Sequence, residues 1–134
     1  MSGDAPGREG KPPARATFRR GEKLVSGRQF DAVLRRGKRF ETKGFVLHVM
    51  PNEGGAASRL GVIVSRRVSK KAVRRNRMKR LFREAFRLQK HMLSAPWDIV
   101  ARARSGQGDR PWTYEEVARE FKNVFEKLTA SPAS

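Results

Sequence analysis

The chain has 134 residues, no cysteine, two histidines (His48 and His91) and a formal net charge of +18. The length favours a single domain, and the absence of cysteine excludes disulfides, thiolate metal sites and cysteine nucleophiles. The large excess of Lys and Arg predicts a polyanionic partner, and nucleic acid is the leading candidate because phosphate contacts use many such side chains.

The N-terminal residues 1–16 hold three prolines and three glycines with almost no large apolar residue. This composition predicts a disordered basic arm, followed by a folded domain over 17–130 and a short disordered tail over 131–134. The start of the chain lacks the apolar core of a signal peptide. No apolar run approaches the roughly 18 residues that a membrane-spanning helix needs. We therefore expect a cytoplasmic protein without a membrane partner.

The first predicted element of the domain is a short helix. Ser26-Gly27-Arg28-Gln29 has the form of a capping box, with Ser at the N-cap and Gln three residues later. Phe30, Val33 and Leu34 then recur at helical spacing, and Gly37 ends the pattern. These signals predict a helix of about ten residues.

Strands follow this helix. Residues 40–50 alternate as a strand does, and Lys43-Gly44 predicts a tight turn that divides them into two pieces. In the second piece Phe45, Leu47 and Val49 fall on one face, and the residues between them, including His48, fall on the other. Another strand is expected over 59–65, after a glycine-containing loop.

The second half of the chain predicts a long helix over 72–94, a strand over 97–103 and a last helix. Thr113-Tyr114-Glu115-Glu116 has the form of a second capping box, and the stripe after it packs the last helix. This stripe consists of Val117, Phe121, Val124, Phe125 and Leu128. The order of helix, two or three strands, helix, strand and helix indicates an α/β sandwich of one small sheet with helices packed on it.

The long helix has two different faces. At 100° per residue, Arg80, Arg83, Arg87 and Lys90 all fall within about 40° of Asn76, on a ridge about 21 Å long. The opposite face carries an apolar stripe made of Met78, Leu81, Phe82, Ala85, Gln89 and Met92. The helix is therefore expected to dock on the sheet by one face and to present cations on the other.

Charge on this helix is concentrated and of one sign. Residues 66–90 contain twelve Lys or Arg and one acid, Glu84. A solvated helix usually alternates its charges, whereas cations near an N-terminus oppose the helix dipole. Because arginine outnumbers lysine eight to four, bidentate phosphate recognition is favoured over a plain solvated face. Asn76 is either a local helix cap or a contact to a base or ribose.

Several segments of the chain resemble segments of a known protein family. The segment Arg75–Phe86, RNRMKRLFREAF, closely resembles the signature helix of the bacterial ribonuclease P protein subunit. Arg59–Val68 is similar to the strand before that helix in the family, and Asp98–Arg102 is similar to its final strand. Ser26–Gly37 and Gly44–His48 match in kind, so the resemblance covers about residues 18–130.

The resemblance implies an α+β fold. The expected architecture is a single α/β sandwich in the order α-β-β-β-α-β-α, with a four-stranded sheet like the second domain of a small-subunit ribosomal protein. It also implies a left-handed crossover from the third strand through the long helix to the fourth, whereas the general rule for such connections predicts a right-handed one.

The function implied by the resemblance is assistance to a catalytic RNA that removes the 5′ leader from precursor tRNA. The partners are then that RNA and the precursor, with no obligate protein partner evident. The protein supplies no catalytic group, no metal site and no organic cofactor, and the Mg²⁺ of the holoenzyme is expected to be bound mainly by RNA. The sparse acids agree with this, because no two of them form a recognisable metal motif.

Two sets of site residues are carried over from the family. The RNA-subunit contacts lie on or just before the long helix: Arg66, Arg67, Arg74, Arg75, Asn76, Arg77, Lys79, Arg80, Arg83 and Arg87. The leader cleft, between the first helix and the sheet, is expected to be lined by Phe18, Phe30, Leu34, Phe45 and His48. Family members often have an aromatic residue in place of Leu34 and a tyrosine in place of His48. The alternative for Phe30 and Phe45 is a plain core position, and the alternative for His48 is an ordinary position on the face of the sheet.

Two other functions are also compatible with this basic composition. A structural rRNA-binding protein of ribosomal type fits the charge equally well, and only the signature helix argues against it. Binding of double-stranded DNA is less favoured, because neither a dimer seam nor a helix-turn-helix pattern is present.

Overall fold

The computed structural model describes residues 23–24, 27–52, 55 and 57–130. Four predictions concern residues outside the described ones: the arm over 1–16, the leader contact of Phe18, the N-cap at Ser26 and the tail over 131–134.

The helix α1 (Gly27–Arg36) ends where the sequence predicts. The backbone N–H of Gly37 donates to the carbonyl of Val33 at 2.8 Å, and a Cβ at position 37 would lie 2.4 Å from that carbonyl oxygen. Only glycine fits this close turn, and the chain enters the strand β1 (Lys38–Glu41) directly after it.

Four strands form one mixed sheet. After β1 come β2 (Phe45–Pro51), β3 (Arg59–Ile63) and β4 (Trp97–Ala103), and their order across the sheet is β1-β2-β4-β3. β1 and β4 pair antiparallel with β2, whereas β3 pairs parallel with β4. The predicted turn at Lys43-Gly44 is confirmed, because it separates β1 from β2.

The parallel connection from β3 to β4 runs through the long helix α2 (Ala72–Gln89) and a short 3₁₀ turn (Lys90–Met92). The regular helix is therefore shorter than the predicted span of 72–94. With the last helix α3 (Tyr114–Ala130), the order α-β-β-β-α-β-α and the α+β sandwich are confirmed. The left hand of the crossover stays a prediction.

The sheet separates two apolar layers. On one face the main core joins β2, β3 and β4 to α2 and α3, and Phe82, Phe86 and Phe121 are completely buried there. On the other face α1 packs through Val33 against Val100 of β4 and Leu24. The sandwich thus has α1 on one side of the sheet and α2 with α3 on the other.

The docking face of α2 is slightly rotated from the predicted one. Met78, Phe82 and Ala85 are buried as expected, and Phe86 joins them. Helix α3 buries its predicted stripe, and its capping box is confirmed. The N–H of Glu116 donates to Oγ1 of Thr113 at 3.2 Å, and the N–H of Thr113 donates to Oε1 of Glu116 at 3.0 Å.

Candidate RNA interface

The N-terminus of α2 lacks the usual cap. Lys71 is the N-cap residue and makes no side-chain cap hydrogen bond, and the first turn contains no acid. Asn76 lies in the second turn with its side chain exposed, so it is not the local cap. A helix start that has no side-chain cap and no acid in its first turn, and that carries several cations, favours an anionic partner.

Ser69 ties the start of α2 to the segment after β4. Its hydroxyl donates to Oδ1 of Asp109 at 2.6 Å, and the same oxygen accepts from Nη1 of Arg74 at 3.1 Å. Its carbonyl accepts from Nη1 of Arg75 at 2.9 Å. These contacts hold the pKa of the Asp109 carboxyl below its ordinary value, first through Ser69 and then through Arg74. Arg74 and Arg75 are therefore fixed in position by the protein.

Two further arginines of the predicted RNA-binding set also have protein partners. Nη2 of Arg77 donates to the carbonyl of Trp112, whose indole N–H donates to the carbonyl of Gln107 at 3.0 Å. Arg87 is half-buried and pairs with Glu84, its Nε lying 3.3 Å from Oε1. Both side chains therefore help to hold the fold around α2.

The remaining side chains of the set are unpaired within the described part of the chain. Arg80 and Arg83 are exposed on α2, on the face opposite Met78 and Phe82. The other side chains of the set without a protein partner there are those of Arg66 and Arg67, in the turn before α2, and of Asn76 and Lys79 on the helix. These six residues form a surface that is called the α2 ridge below. Its exposed arginines are accessible to the phosphate groups of a partner.

The opposite face of the sheet carries the residues next to α1. Phe30 and Leu34 of α1 are half-buried in the small cluster around Val33. His48 of β2 lies on this face, directly across from Val100 of β4, and is 6% exposed. Phe30, Leu34 and His48 thus lie on the same side of the sheet, and their contact with a leader stays a prediction.

The prediction that Phe45 lines the cleft is wrong. Its side chain is completely buried on the α2 and α3 side, with its ring 5.1 Å from the ring of Phe82 and 5.8 Å from that of Phe121. Phe45 and His48 are three residues apart in one strand, so alternation puts them on opposite faces. The alternative core interpretation is therefore right for Phe45.

A cavity of about 140 Å³ lies where the two surfaces meet at the edge of the sheet. Phe30 of α1 and Arg83 of α2 both line it, together with Lys23 and with Gly61 and Val62 of β3. An RNA strand passing this edge would meet an aromatic ring and cations at the same place. The α2 ridge and the α1 face of the sheet are therefore adjacent at β3.

Arg102 of β4 is a candidate that the pattern of the sequence did not single out. Its Nε donates to Nε2 of His48 at 3.4 Å, on the α1 face. Burial lowers the pKa of His48, and the charges of Arg102 and Arg39 lower it further. The sequence carried a signal, because Arg102 directly follows the apolar residues Ile99, Val100 and Ala101 within the predicted strand.

Several carboxylates in the described residues pair with arginines. Asp98 accepts from Nε and Nη2 of Arg59 at 2.9 and 2.7 Å, and Glu116 accepts from Nη2 of Arg110 at 2.8 Å. Within the described ranges, no three His, Asp or Glu side chains come together as ligands for a metal ion. In the same part of the chain, no helix combines the length and apolarity needed to cross a membrane.

The chain is a small basic α+β sandwich with an exposed arginine ridge on its crossover helix. The family model described as Ribonuclease P matches residues 18–129, so the chain belongs to the ribonuclease P protein family.

Individual relatives agree with this membership. A ribonuclease P protein component from Nitrosomonas europaea is 49% identical over 108 residues, which are 79% of this chain and 89% of that protein. One from Pseudomonas aeruginosa is 36% identical over 120 residues, covering 87% of this chain and 88% of that protein.

Solved structures share the fold. The RNase P protein from Thermotoga maritima superposes with a TM-score of 0.68 at 31% identity, covering 79% of this chain and 96% of that chain. The Staphylococcus aureus RNase P protein gives a TM-score of 0.68 at 25% identity, covering 80% and 94%.

Proposed function

We propose that this chain is the RNA-binding subunit of ribonuclease P. It assists a catalytic RNA in the endonucleolytic removal of the 5′ leader from precursor tRNA. It does so by binding the RNA subunit through the α2 ridge and the single-stranded leader on the α1 face of the sheet. The phosphodiester hydrolysis is carried by the RNA, and the protein alone is inactive.

The observation that supports this most directly is the unpaired state of the α2 ridge. Arg80 and Arg83 are exposed and have no carboxylate partner among the described residues, although Glu84 directly follows Arg83 and lies four residues after Arg80. Glu84 pairs instead with Arg87. A ridge of arginines that the protein itself leaves uncompensated suits a phosphate backbone, because each contact releases counterions.

The leader assignment is supported by the α1 face. Phe30 and Leu34 offer apolar surface, and the buried His48 lies on the same face of the sheet. Phe30 is the aromatic residue of this group that is only half-buried, so it is the residue best suited to stack on an unpaired base. Phe18 completes the proposed group.

We also propose that RNA holds the Mg²⁺ of the holoenzyme. The carboxylates that approach α2, Glu84 and Asp109, are each bound by an arginine and stand apart. Metal ligation by either would compete with an existing ion pair. Phosphate oxygens are the alternative hard ligands for Mg²⁺ in such an assembly.

The test is cleavage of a precursor tRNA by the protein alone, by the RNA alone and by both together at low Mg²⁺. Cleavage that requires the RNA and is strongly accelerated by the protein is expected. Cleavage by the protein alone, or an RNA rate that the protein leaves unchanged, would contradict the proposal.

A second measurement separates this function from structural rRNA binding. RNA that co-purifies with the chain from cells should be a ribozyme RNA that cleaves the precursor when refolded. Recovery of ribosomal RNA in its place would overturn the assignment.

A further inference from the structure

We propose that Arg102 binds a phosphate of the single-stranded leader on the α1 face of the sheet, with its guanidinium positioned by His48. This inference rests on the proposed function and adds a residue pair to its leader surface.

The register of the strands places His48 and Arg102 on the same face of the sheet. His48 of β2 lies across from Val100 of β4 and from Arg39 of β1, while Arg102 lies across from Val46 of β2. Residues directly opposite each other in neighbouring strands share a face, so His48, Arg39 and Arg102 all lie on the α1 face. Nε of Arg102 reaches Nε2 of His48 at 3.4 Å along the diagonal between them.

The other arginines of the four strands have acidic partners, as does Arg104 directly after β4. Arg39 pairs with Glu41 at 3.0 Å, and Arg104 pairs with the same carboxylate at 3.6 Å. Arg59 forms the two-pronged pair with Asp98. Arg102 is half-buried and has no carboxylate partner among the described residues. A partly desolvated guanidinium without an acid is unfavourable in the free protein, and a bound anion would offset that cost.

The hydrogen bond to His48 leaves the terminal N–H groups of Arg102 available to an anion. A guanidinium has five N–H groups in one plane, and His48 accepts from Nε only. The N–H groups of Nη1 and Nη2 then remain for an anion, in the fork arrangement that matches two phosphate oxygens.

His48 acts as the positioning residue. It accepts at Nε2 only when its ring is neutral with the proton on Nδ1. Its burial and the charges of Arg102 and Arg39 lower its pKa and so favour this neutral state. Because the imidazole fixes the side chain before the RNA arrives, less rotamer entropy is lost on binding.

The experiment uses the holoenzyme, the protein assembled with its RNA, and measures its binding to a cleavage-blocked precursor with a single-stranded leader and to mature tRNA. For Arg102→Ala we expect about tenfold weaker binding of the precursor, as for loss of a charge-assisted hydrogen bond, and under twofold change for mature tRNA. The slope of log affinity against log salt should become shallower by about 0.7, the value for one phosphate on a single strand.

Further variants separate positioning from structure. Arg102→Met keeps the aliphatic stem without the charge and should repeat the loss seen with Ala, so the test survives if the Ala variant does not fold. His48→Ala should weaken precursor binding severalfold, and His48→Gln should restore it because the amide oxygen can accept from Nε. Arg119→Ala removes an exposed charge from α3 and is the matched control.

Each result bears on the inference. The proposal is overturned if Arg102→Met weakens binding of precursor and of mature tRNA equally, or weakens precursor binding no more than Arg119→Ala does. It is also overturned if His48→Ala and His48→Gln bind the precursor equally well. If wild-type holoenzyme itself shows no preference for the precursor, leader binding fails as a whole. If that preference is present and Arg102→Met retains it fully, only the Arg102 assignment fails.

Discussion

The ring of Phe30 lies directly against the backbone of Gly61. A Cβ at position 61 would lie 2.5 Å from both Cε1 and Cζ of that ring, a distance that carbon atoms do not adopt. Gly61 is the central residue of β3, so helix α1 is seated on this strand because position 61 has no side chain. The same contact brings Phe30 to the cavity that Arg83 lines.

Gly61→Ala should therefore displace Phe30. We expect a loss of about 1–3 kcal/mol in the free energy of unfolding, as for other overpacked sites, together with a reduced preference of the holoenzyme for precursor over mature tRNA. Urea denaturation and the two binding constants measure these effects. Gly27→Ala is the matched control, because a Cβ at position 27 meets nothing within 4 Å. Unchanged stability of Gly61→Ala would show that the ring moves without cost.

Substitution of Arg80 should affect mainly RNA binding, whereas substitution of Arg77 should affect mainly the stability of the fold. Arg80→Ala is expected to weaken RNA-subunit binding and to lower the salt slope by about one, with the unfolding free energy changed by less than about 0.5 kcal/mol. Arg77→Ala loses its hydrogen bond to the Trp112 carbonyl and should lower the unfolding free energy by about 1 kcal/mol. Salt-dependent binding and chemical denaturation check the two variants. A salt slope that Arg80→Ala leaves at the wild-type value argues against a phosphate contact there.

Phe45 and Phe30 should behave differently despite their similar chemistry. Phe45→Ala removes a completely buried ring and should cost about 3–5 kcal/mol of unfolding free energy. The milder Phe45→Leu should stay folded and keep the wild-type preference for precursor tRNA. Phe30→Ala should lose that preference while its thermal unfolding remains cooperative. If Phe45→Leu lowered the preference as much as Phe30→Ala, the two faces of the sheet would not be functionally distinct.

The capping box of α3 should make stability depend on acid pH. Arg110, followed by Thr113, lowers the pKa of Glu116 to about 2 from an ordinary 4.5. Between these values the unfolded chain binds more protons than the folded one, so this contribution is complete above pH 4.5 and is lost as the pH falls toward about 2. Melting temperatures of the wild type and Glu116→Gln, compared over that range, measure it. Gln keeps an acceptor for the Thr113 N–H but has no charge, so the two melting temperatures should converge in acid. A constant difference would exclude the linkage.

Local chemistry accounts for the elements that were predicted correctly. The end of α1 at Gly37, the turn at Lys43-Gly44 and the start of α3 at the Thr113 capping box each depend on residues within a few positions. The buried stripe of α3 follows from helical spacing alone. The end of α2 was placed too late, because Lys90–Met92 continue as a 3₁₀ turn that periodicity does not distinguish from α-helix.

The site was predictable only in part. Alternation along β2 was sufficient to separate Phe45 from His48, and the predicted cleft nevertheless combined them. The role of Arg102 was not apparent, because its partner His48 is 54 residues away in the chain and becomes adjacent only through the pairing of β2 with β4.

By itself the sequence determined the order of the elements and the concentration of arginine on one helix, because both follow from spacing within short segments. The tertiary structure decided which of those arginines are available to a partner. Arg77 is held by the carbonyl of Trp112, 35 residues away, and Arg74 by Asp109, also 35 residues away, whereas Arg80 and Arg83 meet no such group among the described residues. A hydrogen bond between distant segments exists only once the sheet and helices have packed, so the composition of the helix could not reveal it.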